Sequence, residues 1–118
     1  MDTPTLGLCM AAARPLRDAL DIVNGKWKLP ILLALRTGHH RFRDIERAVP
    51  GISSKVLAKE LKDLELHLLL KRTVREGPPV AVSYEAMPYA ATLDPVILAL
   101  RDWGIKHREK VMGQEAEA

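Results

Sequence analysis

Residues 50–64 read Pro50-Gly51-Ile52-Ser53-Ser54-Lys55-Val56-Leu57-Ala58-Lys59-Glu60-Leu61-Lys62-Asp63-Leu64, and their spacing decides the fold. Pro50-Gly51 breaks the chain, and Ser53 is a good N-cap for a helix running to about Leu66. At 100° per residue from Lys55, the leucines Leu57, Leu61 and Leu64 fall at roughly 180 to 240°. Lys55, Lys59 and Lys62 lie within about 40° of zero. The spacing therefore predicts one buried leucine face opposite a lysine stripe.

Upstream, Arg41 to Val49 reads as a short helix with Phe42, Ile45 and Val49 on one face, while Arg41, Arg43 and Arg47 fall elsewhere. A second helix is expected from about Lys26 to Arg36, with Trp27, Ile31, Leu32 and Leu35 apolar, Pro30 near its first turn, and Thr37-Gly38 as its stop. The first helix is expected to begin at Pro15, with Leu16, Ala19, Leu20 and Val23 at helical spacing and Asn24-Gly25 ending it. Residues 1–13 are expected to form a flexible arm.

Downstream the pattern changes period. Leu69 to Arg75 and Val80 to Glu85 fit two strands joined by Glu76-Gly77-Pro78-Pro79, a hairpin with a proline-stiffened tip. Helical spacing returns after Met87-Pro88, with Asp94-Pro95 opening a last helix that carries Val96, Ile97, Leu100, Trp103 and Ile105. The tail, residues 113–118, is expected to fray. The fold class is thus mainly α with a small β-wing, a winged helix-turn-helix occupying residues 14–112.

The bulk properties agree. The chain has 118 residues, 47% of them apolar, and a single core at this length buries roughly two-thirds of the unfolded surface, so one domain is expected. The net charge of +3 conceals a segregation. Residues 26–75 hold 12 Lys/Arg against five acids, +7, which leaves −4 for the two flanks together. A basic middle segment is what a polyanion partner selects. The longest apolar run, Leu29 to Leu35, is too short for a membrane span, and Met1-Asp2-Thr3-Pro4 lacks the basic start of a signal peptide, so a cytoplasmic protein without a membrane partner is expected. Cys9, the single cysteine, fits a reducing compartment.

An α-helix fits the major groove of double-stranded DNA, and short polar or basic side chains near its N-terminus read base edges while a ribbon reaches the flanking backbone. Ser53, Ser54 and Lys55 hold that N-terminal position. Lys59 and Lys62 lie further along the stripe and suit phosphates, as do Arg41, Arg43 and, on the wing, Arg75. The competing reading of the stripe is a solvated face with Lys59 paired to Asp63 at i,i+4. Trp27 and Trp103 suit core or interface roles. Adjacent His39 and His40 point different ways and have no Cys/His group at ligand spacing, so no metal site is expected. No phosphate loop, nucleophile motif or defined carboxylate pair appears, and no cofactor or enzymatic activity is expected.

These pieces also carry a family resemblance. Pro15-Leu16-Arg17-Asp18-Ala19-Leu20, Gly25-Lys26-Trp27-Lys28-Leu29-Pro30-Ile31-Leu32, Arg41-Phe42-Arg43-Asp44-Ile45, Pro50 to Leu57, Leu61-Lys62-Asp63-Leu64-Glu65, Pro79 to Glu85, Leu93-Asp94-Pro95-Val96 and Trp103-Gly104 together resemble the HxlR-type transcriptional regulators over about residues 14–107. The resemblance implies a homodimeric DNA-binding regulator, most often a repressor, with the first and last helices building the subunit contact. Leu16, Leu20, Leu93, Ile97, Leu100 and Trp103 are the interface candidates, and a two-fold dimer favours an inverted-repeat operator.

The sequence departs from the family pattern in three places. Arg14 stands where members commonly carry a cysteine before the proline, in some a thiol sensor; Leu68 replaces a usual glycine after the recognition helix; and Ala86-Met87 replaces the usual Leu-Thr after the wing. Two alternatives stay open at this point: a winged-helix module that binds only protein, and a regulator with thiol-based redox sensing through Cys9. The operator sequence and any small-molecule effector are not legible.

Overall fold

The computed structural model describes the backbone of residues 3–117 and the side chains of residues 11–113. Among the described residues, five α-helices and one hairpin follow in the order α1 (Thr3–Val23), α2 (Lys28–Arg36), α3 (Phe42–Ala48), α4 (Ser54–Leu66), β1 (Leu70–Arg75), β2 (Ala81–Ala86) and α5 (Asp94–Glu117). A 3₁₀ segment, Pro88–Leu93, precedes α5. The fold is mainly helical with a two-stranded antiparallel wing.

The core is the meeting place of α2, α3 and α4. Ile31, Leu32, Ala34 and Leu35 from α2, Ile45 from α3, and Leu57, Leu61 and Leu64 from α4 are buried in one cluster, which Val49, Ile52, Leu69, Leu70 and Ala90 complete. Each fully buried Leu or Ile contributes about 1.5–3 kcal/mol relative to exposure. The expected apolar faces of these three helices are therefore the ones the fold buries.

Both ends differ from expectation. α1 starts at Thr3 and carries Pro15 in its interior, so most of residues 1–13 are helical. The reason lies in Ala11-Ala12-Ala13, strong helix formers that extend the helix upstream of the proline, where one backbone hydrogen bond is lost. α5 likewise continues to Glu117, through most of the tail expected to fray. Residues 1, 2 and 118 lie outside the described residues.

The register of the wing pairs Leu70 with Ala86, Arg72 with Tyr84 and Arg75 with Ala81. Its base is tied to the helical core by Leu70, Leu69 and the half-buried Tyr84. The C-terminus of α2 is joined to the start of α5 by a bidentate ion pair from the Arg36 guanidinium to the Asp94 carboxylate. The Arg36 hydrogen bonds hold Asp94 below the usual carboxylate range.

α4 ends in a tight reversal that feeds β1. The Leu69 amide donates to the Leu64 carbonyl (3.0 Å) and the Leu68 amide to the Glu65 carbonyl (3.0 Å), the paired bonds of a Schellman cap. Such a cap requires a left-handed residue after the helix, and Leu68 supplies it at φ 66°. Here a leucine adopts the conformation that a glycine holds without steric cost, and its side chain is mostly exposed, so it recovers little by burial. Leu68→Gly is accordingly expected to stabilise the fold by about 1 kcal/mol, read as a raised midpoint in urea denaturation; an unchanged or lowered midpoint contradicts the strain assigned to Leu68.

Candidate nucleic-acid interface

The outer face of α4 is set by what its inner face buries. With Leu57, Leu61 and Leu64 in the core, Lys55, Lys59 and Lys62 are all exposed. Among the described residues none of the three takes part in an ion pair within 4 Å. Asp63, the competing partner for Lys59, instead faces Lys28 of α2 at 3.6 Å. Lys28 also donates to Glu60 at 2.5 Å, and both of those side chains are largely buried. Burial alone lowers the proton affinity of the Lys28 ammonium, but the Glu60 hydrogen bond and the two carboxylate charges outweigh it and raise the pKa above the ordinary lysine value. Lys28 is a fixed cation between α2 and α4.

The N-terminus of α4 has two serines with different duties. Ser53 caps the helix, its Oγ accepting from the Val56 amide at 3.2 Å. Ser54 donates its hydroxyl to Glu46 of α3 at 2.6 Å and so braces the turn between the two helices. Both remain exposed, with Ser53 free to donate and Ser54 to accept. Arg41 is the residue flanking the start of α3, and Arg43 projects from its first turn; both are exposed. Arg47 is engaged with Asp44 at 2.8 Å.

Arg75 sits exposed at the tip end of β1. Sequence reasoning missed Arg72. It lies opposite Tyr84 across the hairpin and, with Lys62, Glu65, Leu61 and Ala58, lines the cleft of about 270 Å³ between α4 and the wing. Strand alternation could have found it, since Arg72 shares the face of half-buried Tyr84. His40 was also missed as an anchor. Its carbonyl accepts from the Tyr84 amide at 2.8 Å, and its Nδ1 donates to the Tyr84 carbonyl at 3.0 Å. The neighbouring His39 turns its Nδ1 to the Ala34 carbonyl at 3.1 Å, so the two imidazoles serve different elements. No cluster of three or more His, Cys, Asp or Glu able to hold a metal occurs among the described residues.

Two short helices, a capped turn, a lysine-faced second helix and a hairpin braced against it form a winged helix-turn-helix. The match to known proteins is specific: residues 22–112 fit the description "HxlR-like helix-turn-helix". The chain belongs to the HxlR family of winged helix-turn-helix transcriptional regulators. It is similar to the HTH-type transcriptional regulator YdeP of Bacillus subtilis strain 168, 35% identical over 102 residues that cover 86% of this chain and 80% of the relative. It is similar also to the HTH-type regulator YtfH of Escherichia coli K12, 37% identical over 82% of this chain and 77% of that one. Among solved structures, the redox regulator HypR in its reduced form superposes with a TM-score of 0.71 at 29% identity, covering 84% of this chain and 98% of that one. Each of these relatives is by name a regulator. Among the described residues no helix is long and apolar enough to cross a membrane.

The interface candidates separate into two groups. Leu16, Leu20, Leu100 and Trp103 are exposed, Leu16 by 59% and Trp103 by 65%, and Trp103 stacks on His107 with ring centroids 4.7 Å apart. Leu93 and Ile97 are half-buried; Leu93 packs on the chain's own core, and both line an apolar groove of about 520 Å³ between α2 and α5. Leu93 is therefore committed in part to its own subunit.

The wing's attachment generates a test. His40→Ala removes one of the two hydrogen bonds that tie β2 to the loop before α3, a loss of about 1 kcal/mol. Amide hydrogen exchange is expected to quicken at Tyr84 and along the hairpin while Leu61 in α4 keeps its protection; unchanged exchange at Tyr84 contradicts the anchoring role.

Proposed function

We propose that this HxlR-family chain is a sequence-specific DNA-binding regulator, a repressor, that acts in the cytoplasm as a homodimer on an inverted-repeat operator. The observation that carries the reading is the outward lysine face of α4, uncovered by the chain itself and flanked by Arg41, Arg43 and the arginines of the wing. In this reading Ser53, Ser54 and Lys55 meet base edges in the major groove. Lys59, Lys62, Arg41, Arg43 and Arg75 meet phosphates.

Dimerisation is supported by what α1 and α5 leave uncovered. A compact chain of this length has a radius of gyration of about 13.5 Å; this one has 18.3 Å, with a long axis of 63 Å. Leu16, Leu20, Leu100 and Trp103 sit on these extended helices, and an apolar surface of that kind calls for a second chain. Two-fold pairing would set the recognition helices about 34 Å apart, one turn of DNA.

Thiol sensing is not part of the proposal. HypR is by name a redox regulator, but Cys9 is the single cysteine of this sequence and its side chain lies outside the described residues.

Selection of binding sites from a random duplex library is expected to return an inverted repeat. On that repeat, Lys55→Ala is expected to cost about 1–3 kcal/mol of discrimination against random duplex, whereas Arg41→Ala weakens binding to both about equally. Electrophoretic titration of both variants reads this. Equal losses for Lys55→Ala on the two duplexes refute its base-reading role, and a dimer with no salt-sensitive affinity for any duplex favours the protein-only module instead.

A further inference from the structure

The recognition helix is formally neutral. α4 carries Lys55, Lys59 and Lys62, but also Glu60, Asp63 and Glu65. Measured around the helix from Lys55, Asp63 lies near 80° and Glu60 near 140°, between the lysine stripe and the leucine seam. Asp63 is one turn from Lys59, close enough to pair with it. A helix with that composition has no evident advantage in approaching a polyanion.

The ammonium of Lys28 changes the balance. It comes from the first residue of α2 and reaches across to Glu60 and Asp63, at 2.5 Å and 3.6 Å. With 14% of its side chain exposed it cannot itself serve as a surface cation for DNA. One ammonium thus faces two of the three carboxylates on α4 and offsets one unit of their combined charge. Resting on the DNA-binding reading above, we infer that Lys28 is a positioning residue for DNA contact: it draws Glu60 and Asp63 toward α2, so that Lys59 stays unpaired and available to a phosphate. The part-buried ion pair is then an electrostatic device as well as a tie between two helices.

Salt dependence separates this role from a merely structural one. Each phosphate neutralised by a protein cation adds about 0.9 to the slope of log affinity against log salt. The probe is a random-sequence 30-base-pair duplex, titrated by fluorescence anisotropy from 50 to 200 mM salt. Lys28→Met is expected to release Asp63 onto Lys59, lower the slope by about one phosphate, and weaken binding about tenfold at the lowest salt. Lys28→Met combined with Asp63→Asn is expected to recover the slope, and Lys28→Arg to keep it. A Lys28→Met protein that folds and keeps the wild-type slope overturns the inference, as does a double variant that folds without recovery.

Asp63→Asn alone provides an arm that does not depend on tolerance of Lys28→Met. With Lys28 already holding Asp63, the slope stays at the wild-type value; a rise of about one phosphate shows that Asp63 occupies Lys59 in the native protein and contradicts the inference. Wild-type protein with no salt-sensitive duplex affinity overturns the DNA-binding reading and this inference together. Wild-type binding with the slope of Lys28→Met unaltered overturns this inference alone.

Discussion

The seating of Leu57, Leu61 and Leu64 in the cluster built by Ile31, Leu35 and Ile45 is the constraint on which the rest of the molecule depends. A helix buried along one stripe has no freedom to rotate, because rotation by one residue would carry a leucine to water and a lysine into the core. The direction in which Lys55, Lys59 and Lys62 project is therefore fixed by hydrophobic burial on the far side of the same helix. Charge alone could not fix it.

The elements around α4 refine that placement rather than create it. Ser53 closes the helix start, Ser54 braces it to Glu46 on α3, and the left-handed turn at Leu68 hands the chain to the wing. His40 and Tyr84 then tie the hairpin back to the loop before α3. Helix α4 and the wing are thus referred to one core, which sets the spacing between the two elements that the proposed function places on DNA. The long α1 is joined to that unit through Ile22, and α5 through the Arg36–Asp94 pair and the half-buried Leu93 just before it.

The sequence made α4 and the hairpin legible because each repeats a physical period: 3.6 residues for the leucine and lysine faces, two for the strands. The cap at Ser53 was legible for the same local reason. What escaped was non-local or against type. Lys28 and Glu60 are 32 positions apart and His40 and Tyr84 are 44 apart, so no window on the sequence contains either contact. Pro15 read as a helix start, yet it sits inside α1, because the alanines before it favour helix strongly enough to carry the chain past it. Arg72 shares the face of Tyr84 by strand alternation, whereas Leu68 is a departure in the sequence whose left-handed backbone is visible only in the fold.

The lysines of α4 are exposed, where the proposed function has them meet DNA, while Lys28 is part-buried between α2 and α4. Lysine acylation with a small reagent, read by mass spectrometry in the presence and absence of duplex DNA, tests this placement most directly. Lys55, Lys59 and Lys62 are expected to react in the free protein and to be shielded when duplex is added, and Lys28 to react slowly in both states. Equal modification of the three lysines with and without DNA would contradict it.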